Sequence, residues 1–181
     1  IPEGGLILNQ DDEKVSATIP GSVASSYIET IIRENSAAGA TAENTSMTMS
    51  VNVQTTEASN GSLTFEIGMS ANITIKNGEN IQTISDSVST LSDYITTKVK
   101  LQSGLDNVTV KHKGNDMSTD LANPNKYGAY SYDSETGYLT IKTKSFSPFS
   151  VTYEVKLGYD ITFDYNDGIT QTKTVRAAYW Q

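Results

Sequence analysis

The sequence contains no cysteine, which excludes a disulfide framework, a thiolate metal site and a cysteine nucleophile. It has one histidine, one tryptophan and four phenylalanines. No apolar run approaches the roughly 20 residues of a membrane-spanning helix, and no segment resembles a signal peptide. We therefore expect no membrane insertion by this chain. Because Ile1 stands where an initiator methionine would stand, we expect a processed chain whose export signals lie outside this sequence.

Basic residues are scarce: 13 Lys and Arg stand against 21 Asp and Glu, giving a net charge of −8. Nucleic-acid binding is not expected, because phosphates demand a basic surface. Residues 1–97 carry three basic and twelve acidic groups, whereas residues 98–144 carry seven lysines and five acids. This change marks a possible subdivision near residues 90–95. We nevertheless expect one domain over residues 1–181, since neither half has enough strands to close a sandwich alone.

Serine and threonine are abundant, together 44 of 181 residues, with 13 glycines and 10 tyrosines. Threonine and tyrosine favour strands, whereas glycine and serine favour turns. A hydrophobic fraction of 36% suits strands that bury one face and leave the other in water. The composition therefore indicates an all-β, exported protein.

One segment has helical spacing. A helix is predicted over residues 23–34, with Ser22 as its N-cap, because apolar residues recur there every three or four positions. Before it, the alternating residues Val15–Ile19 stop at Pro20-Gly21. That pattern predicts an edge strand ending in a turn.

Alternation elsewhere predicts strands separated by turns. The predicted strands cover residues 47–53, 63–69 with a continuation at 73–75, 95–101, 108–113, 127–132, 138–144 and 147–155. A β-bulge is expected at Gly68 or Ser70-Ala71, and Asn77-Gly78 predicts a hairpin. Residues 81–93 are expected to form a loop with a short strand or turn, and residues 158–181 a last hairpin. These roughly ten short strands predict an antiparallel, Ig-like β-sandwich with one short helix.

Three motifs in the second half of the chain follow one another in a recognisable order. They are Val-Thr-Val-Lys-His-Lys-Gly-Asn-Asp-Met (108–117), Tyr-Asp-Ser-Glu-Thr-Gly-Tyr-Leu-Thr-Ile (132–141) and Ser-Phe-Ser-Pro-Phe-Ser-Val (145–151). This order resembles a β-rich module of large cell-surface proteins in Gram-positive and gut bacteria. The resemblance implies an exported, multidomain, adhesin-like or stalk-like parent protein and no defined ligand.

A second resemblance lies near the end of the sequence. Ile-Thr-Phe-Asp-Tyr-Asn-Asp-Gly-Ile-Thr (161–170), followed by Lys-Thr-Val (173–175), is similar to the start of the internalin-type repeats of such surface proteins. These residues form either the first strands of a truncated repeat or the last hairpin of this domain. We favour the hairpin, because Tyr179 and Trp180 would be costly to expose at a frayed terminus.

His112 is the residue on which a Ser-His-Asp hydrolase would depend, since histidine is the usual base near neutral pH. It lies between Lys111 and Lys113 on a predicted strand, and the sequence has no nucleophile-elbow motif of the form Gly-x-Ser-x-Gly. The cell-surface resemblance also places a histidine here without catalysis. We therefore predict a structural histidine and no catalytic residue.

The abundant carboxylates leave open a glycosidase, which holds two carboxyl groups across a sugar bond, and a calcium site. The calcium candidate, Asp164-Tyr165-Asn166-Asp167-Gly168, lacks the ligand spacing and distal glutamate of an EF-hand. We predict a hairpin turn there, and a solvated segment at Asp11-Asp12-Glu13. No metal and no cofactor are expected.

Lysines recur at alternate positions of three predicted strands. The pairs are Lys98 and Lys100, Lys111 and Lys113, and Lys142 and Lys144. Residues two apart share a face of a strand, so each pair should project to solvent. Two roles fit: suppression of sheet-to-sheet aggregation, which we favour, or attraction of an acidic glycan or teichoic acid.

Phe146-Ser147 resembles the cleavage site of eukaryotic self-cleaving β-domains, in which serine attacks the preceding carbonyl with help from a histidine. Ser145 stands where that histidine would be, so no self-cleavage is expected. Phe146 and Phe149 are predicted to pack in the core, with Pro148 on an edge strand. A Lys–Asn isopeptide crosslink, as in Gram-positive pilins, would need a buried lysine, asparagine and carboxylate in contact.

Four tyrosines cluster near one predicted hairpin: Tyr127, Tyr130, Tyr132 and Tyr138. Sugar-binding modules stack saccharides on such rings, but tyrosine also packs across strands, and we favour packing.

The function predicted from the sequence is that of a non-catalytic, adhesive or structural module of an exported bacterial cell-surface protein, located outside the cell. Its partner would be a host or cell-wall glycan or a protein, and no ligand-binding residue is identified. The alternatives are a carbohydrate-binding module that uses the tyrosines and, less favoured, a hydrolase.

Overall fold

The computed structural model describes residues 5–10, 14–155, 157–163 and 173–179. For Gln10 and for the last two ranges only the backbone is described. The strands are β1 (Leu6–Gln10), β2 (Val15–Ile19), β3 (Thr45–Ser59), β4 (Ser62–Asn77), β5 (Asn80–Ser87), β6 (Thr90–Lys100), β7 (Leu105–His112), β8 (Asn115–Asp116), β9 (Ala129–Tyr132), β10 (Tyr138–Ser145), β11 (Phe149–Val155), β12 (Leu157–Phe163) and β13 (Lys173–Tyr179). One helix, α1 (Gly21–Glu34), and a 3-10 turn at Ser36–Ala38 complete the described elements.

The strands form two main antiparallel sheets and a separate hairpin. The first sheet has the order β1-β2-β6-β10-β9, and the second has the order β3-β4-β11-β7-β8. β5 also pairs with β4, beyond the stretch of β4 that pairs with β11. β12 pairs with β13. The predicted all-β, antiparallel sandwich with one short helix is confirmed, and its Ig-like character stays a prediction.

Most buried apolar residues of both sheets and of α1 form one core cluster. Phe65 and Phe149 belong to it, one on each side of the predicted boundary near residues 90–95. Phe149 on β11 is fully buried, and its ring stacks on Phe65 and on His112 with centroid distances of 5.6 and 4.4 Å. Burial of such a side chain stabilises a fold by roughly 1.5–3 kcal/mol. This stack joins β4, β11 and β7 at the centre of the second sheet.

β4 runs without interruption through the core. Its buried residues are Phe65, Ile67, Met69, Ala71, Ile73 and Ile75, which share one face because strand side chains alternate. The predicted bulge at Gly68 or Ser70-Ala71 is wrong, since Ala71 fills the position between Met69 and Ile73 and the register with β3 is regular there. The irregularity lies on β3, between Thr55 and Glu57.

The helix begins earlier than predicted. Pro20 is its N-cap residue, and the Pro20 carbonyl accepts hydrogen bonds from the N–H groups of Val23 and Ala24 at 3.0 and 3.1 Å. Ser22 as N-cap is therefore wrong, because the chain is already helical at Gly21. Val23, Ala24 and Ile31 are buried, so α1 covers part of the core with one face.

Three predictions about strands are wrong. Val15–Ile19 is not an edge strand, since β2 lies between β1 and β6. Residues 81–93 are mostly strand rather than loop, because β5 and the first part of β6 occupy them. Pro148 does not lie on an edge strand: it precedes β11, which β4 and β7 flank.

Two predicted turns are confirmed. Asn77-Gly78 stands at the β4–β5 hairpin, where Gly78 has a φ of 63°. Residues 133–137 join β9 to β10. The Thr136 hydroxyl and the N–H groups of Thr136 and Glu135 hydrogen-bond the Asp133 carboxylate and lower its pKa. The predicted turn at residues 166–168 lies outside the described residues.

The sandwich has two distinct ends. At the helix end, β2 finishes at Ile19 and α1 follows. At the far end, Val15 pairs with Val99, and Leu105 begins β7. β1 starts at the helix end, where Leu6 pairs with Ile19, and β11 finishes at the far end, where Val155 pairs with Leu105. The chain therefore enters the sandwich at one end and leaves it at the other.

Candidate functional site

His112 lies inside the core rather than in a cleft. Its side chain is 2% exposed, and its Nδ1 atom lies 2.9 Å from the carbonyl oxygen of Tyr127. That oxygen can only accept, so Nδ1 carries the proton and donates it. Burial lowers the pKa of His112, which keeps the ring neutral, and Nε2 is buried without a hydrogen-bond partner. A base so enclosed does not reach a substrate.

Ser147 is likewise engaged with the backbone. Its hydroxyl donates to the carbonyl oxygen of Ile67 at 3.0 Å, and the preceding Phe146 ring is buried in the core. The Ser147 hydroxyl is therefore used in a hydrogen bond to β4. This bond ties β4 to the segment that precedes β11.

The four tyrosines do not form one exposed platform. Tyr130 is buried, and its hydroxyl donates to the Val108 carbonyl at 3.3 Å. The Tyr132 hydroxyl donates to the Gln102 carbonyl at 2.6 Å and accepts from the Leu105 N–H. These two rings tie β9 to β7 and to the loop before it. Their geometry argues against a shared sugar-stacking surface with Tyr127 and Tyr138, which are partly buried.

The six lysines of the alternating pairs divide into two groups. Lys98, Lys100, Lys111 and Lys113 are exposed, as predicted. Lys142 and Lys144 also lie on the outward side of β10, opposite the buried Ile141 and Thr143, but are only partly exposed. Lys142 donates to the Leu121 carbonyl at 3.0 Å, and Lys144 lies 3.6 Å from Asp93 and 4.7 Å above the Tyr94 ring. No lysine among residues 14–155 is buried, so none of these is placed for an isopeptide crosslink.

Within residues 5–10 and 14–155 no group of three or more His, Asp or Glu side chains is arranged to hold a metal ion. The calcium candidate at residues 164–168 and the acidic run at residues 11–13 lie outside the described residues.

The sequence interpretation missed an uncharged polar surface on the outside of the second sheet. We name it the hydroxyl face; it comprises Ser46, Thr48 and Ser50 on β3, Ser70, Asn72 and Thr74 on β4, and Thr83, Ser85 and Ser87 on β5. The β3–β4 and β4–β5 registers set these residues side by side in three rows across three strands. Adjacent members bond to each other: Ser50 and Ser70 oxygens lie 2.7 Å apart, and Ser85 donates to Asn72 at 2.8 Å.

One end of the hydroxyl face is a depression of about 540 Å³. Its lining includes Ser50, Ser70 and Ser87, together with Asn9 of β1 and Asn52 of β3. Its floor is Gly68, over which the Asn52 amide folds: a Cβ on Gly68 would lie 1.9 Å from Asn52 Oδ1. The alternation of Ser, Thr and Asn with apolar residues in β3 and β4 was the available signal for this surface. Recognising it required the β5 strand, which the sequence pattern did not predict.

Two adjoining clefts of about 210 Å³ each open at the far end between the two sheets. Both are lined by Leu63, Leu101 and Lys100, and one extends to Tyr153. Lys100 also donates to the Thr136 carbonyl and lies 4.5 Å above the Tyr138 ring. The clefts are apolar inside and carry no carboxylate pair.

No protein-family model, no curated protein and no solved structure matches this chain. Among the described residues, no helix has the length and apolar character needed to cross a membrane.

Proposed function

We propose that the chain is a non-catalytic, structural spacer module of an exported bacterial cell-surface protein. The observation that carries the proposal is the path of the chain, which enters the sandwich at Leu6 beside Ile19 and leaves it at Val155 beside Leu105. Because the chain enters at one end and leaves at the other, a module of this kind adds its own length to a stalk. The motifs at residues 108–151, which resemble stalk-like surface proteins, support the same role.

The strand pairing suits a module that carries tension. A pull on β1 and on the end of β11 acts along the strands. The hydrogen bonds of an antiparallel pair stand perpendicular to the strands, so such a pull loads the bonds of a pair together rather than one after another. β1 is held along its length by β2, and β11 is held on both sides, by β4 and β7.

The enclosed positions of His112 and Ser147 support a non-catalytic role. Both side chains are bonded to backbone oxygens within the sandwich, at 2.9 and 3.0 Å. Their roles are those of packing and strand-tying groups, which a spacer requires.

Single-molecule force measurement tests the spacer role. Because the chain has no cysteine, handles attach specifically to introduced ones. An Ile7→Cys/Glu154→Cys variant is pulled along the strands, whereas an Asn60→Cys/Glu154→Cys variant is pulled from two points at the far end. The second geometry peels β4 from β11 bond by bond. We expect the end-to-end variant to unfold at a severalfold higher force. Equal unfolding forces for the two variants would contradict the spacer role.

A second candidate function, binding of a neutral glycan, is favoured by the hydroxyl face. Eight hydroxyl groups and one amide form an array without charge across three strands, although the chain carries 19% charged residues. Hydroxyl and amide groups can both donate and accept, which matches the hydroxyl groups of a saccharide. The depression over Gly68 would receive one sugar ring or its substituent.

A glycan and cell-wall polysaccharide array, probed with and without calcium, tests this second function. We expect saturable binding that Ser70→Lys abolishes, because the lysine would cover the depression with a charged chain. Thr109→Lys is the matched control: Thr109 is exposed on β7 of the same sheet, away from the hydroxyl face. Absence of binding, or equal loss in both variants, would refute a glycan site here.

A further inference from the structure

β5 presents an open strand edge. Among the described strands, β4 is its one partner. The Val88 N–H donates to the Met69 carbonyl at 2.8 Å, which makes Val88 and Met69 a hydrogen-bonded pair. Such pairs alternate with non-hydrogen-bonded pairs along an antiparallel ladder. The N–H and C=O groups of Ile81, Thr83 and Ser85 therefore point away from β4, toward solvent.

The other edges of the two main sheets are short or covered, and the edge strand β1 has five residues. β8 and β9 have two and four residues, and Asp116 at the edge strand β8 pairs with Lys111 at 3.4 Å. β3 is long, but β1 and β2 of the first sheet lie close to it. β5 has eight residues and contains no lysine, no proline and no bulge, the features with which proteins usually protect an edge.

The charge of β5 favours a second copy of this chain as its partner. The whole chain carries −8, so most of its surface repels another copy. β5 has one charged residue, Asp86, whose carboxylate accepts a hydrogen bond from the Tyr27 hydroxyl of α1. Two identical strands carry charge of the same sign, so a strongly charged edge would repel its own copy. The near-neutral edge avoids that cost.

We propose that β5 pairs with β5 of a second copy, antiparallel and about a two-fold axis through Ile84. The free backbone groups belong to odd-numbered residues, so these must pair with one another. Centring the pair on Ile84 sets Thr83 opposite Ser85 of the partner subunit, and Ile81 opposite Ser87 of the partner subunit. This register uses all free backbone groups from Ile81 to Ser87, whereas a shift by two residues leaves some unpaired.

Side-chain burial supports this register. Ile81 is 66% exposed, one of two large apolar side chains that are highly exposed among the described residues. Pairing places Ile81 beside the partner's backbone and covers part of its surface. Ile84 meets Ile84 of the partner subunit in a non-hydrogen-bonded pair, in which side chains approach most closely. The hydroxyl face then continues across the two-fold axis onto the partner.

Disulfide trapping tests the register. In a non-hydrogen-bonded antiparallel pair the Cα atoms lie about 4.5 Å apart, within reach of a disulfide. Ile84→Cys should therefore form a disulfide-linked dimer on mild oxidation of this cysteine-free chain. Ser85→Cys is the matched control, because residue 85 lies opposite residue 83 and faces the other side of the sheet. Equal crosslinking of the two variants, or none in Ile84→Cys, would overturn the register.

Sedimentation equilibrium tests the pairing itself. We expect the mass of the unmodified chain to rise from one copy toward two with increasing concentration. Thr83→Pro removes an N–H that points away from β4, so the β4–β5 hairpin survives while the pairing is lost. Thr83→Val keeps the N–H and should dimerise like the unmodified chain, and circular dichroism verifies the fold of both variants. An unmodified chain that stays monomeric at high concentration, or a Thr83→Pro variant that dimerises as strongly as the unmodified chain, would overturn the proposal.

Discussion

At the scale of single residues, His112 shows how a side chain capable of acid–base chemistry becomes part of the core. Its ring stacks 4.4 Å from Phe149, and the Tyr127 carbonyl fixes the proton on Nδ1. Its position between two lysines on a strand was readable from the sequence, since residues 111 and 113 point outward when residue 112 points inward. The Tyr127 contact was not readable, because it joins β7 to a distant loop.

The buried neutral state of His112 predicts acid sensitivity. Burial lowers the pKa of His112 below the ordinary value of 6.5. Below pH 6.5, therefore, His112 becomes protonated in the unfolded chain while it stays neutral in the folded chain. The unfolded state then binds more protons, and the free energy of unfolding falls as the pH drops toward the folded-state pKa. Urea unfolding at a series of pH values between about 7.5 and 5 measures this fall.

The control for this prediction is His112→Phe, which keeps an aromatic ring in the stack. No other histidine is present, so this variant should lose most of the pH dependence in that range. An unmodified chain whose stability does not change between these pH values would show that His112 is not held neutral by burial.

At the scale of elements, strands with one buried face were predictable and the exposed strand was not. β4 alternates buried and exposed side chains along most of its length, and the sequence shows that period directly. β5 lies at an edge with Ile84 and Asp86 partly buried and its other residues exposed, so its sequence carries little alternation. Its strand form comes from the hairpin at Asn77-Gly78 and from pairing with β4, which are tertiary causes.

Two glycines, Gly128 before β9 and Gly68 in β4, should respond differently to alanine. Gly128 has a φ of 103°, and a Cβ there would lie 2.4 Å from the Lys142 carbonyl oxygen, a backbone atom held in β10. Gly128→Ala should therefore destabilise the fold by on the order of 2 kcal/mol or more. At Gly68 the obstacle is the end of the exposed Asn52 side chain, which can rotate away. Gly68→Ala should cost less than about 1 kcal/mol.

Thermal and urea unfolding of the two variants measure this difference. Gly68→Ala serves as the control for Gly128→Ala, since both variants add one methyl group to a glycine whose Cβ position is occupied by another atom. A Gly128→Ala variant as stable as Gly68→Ala would show that the β9–β10 edge shifts freely to admit a side chain.

At the scale of the whole molecule, the sequence predicted the architecture but not the path through it. Composition and strand period indicated a sandwich, and a core cluster containing Phe65 and Phe149 is present as expected for packed sheets. The end at which the chain enters or leaves depends on which strands pair. The pairing of β1 with β2 or of β11 with β7 cannot be read from the local sequence of either strand. The hydroxyl face could not be predicted from the sequence for the same reason, because it depends on the pairing of β3, β4 and β5.

The end-to-end path of the chain is tested most directly by dipolar distance measurement between spin labels. Labels at Thr18→Cys and Glu154→Cys report the separation of the helix end from the far end, and labels at Lys14→Cys and Glu154→Cys report two points at the far end; all three residues are exposed. Four residues of strand separate positions 14 and 18, so the first distance should exceed the second by roughly 10 Å. Equal distances, or a longer Lys14–Glu154 distance, would contradict an end-to-end path and with it the spacer function.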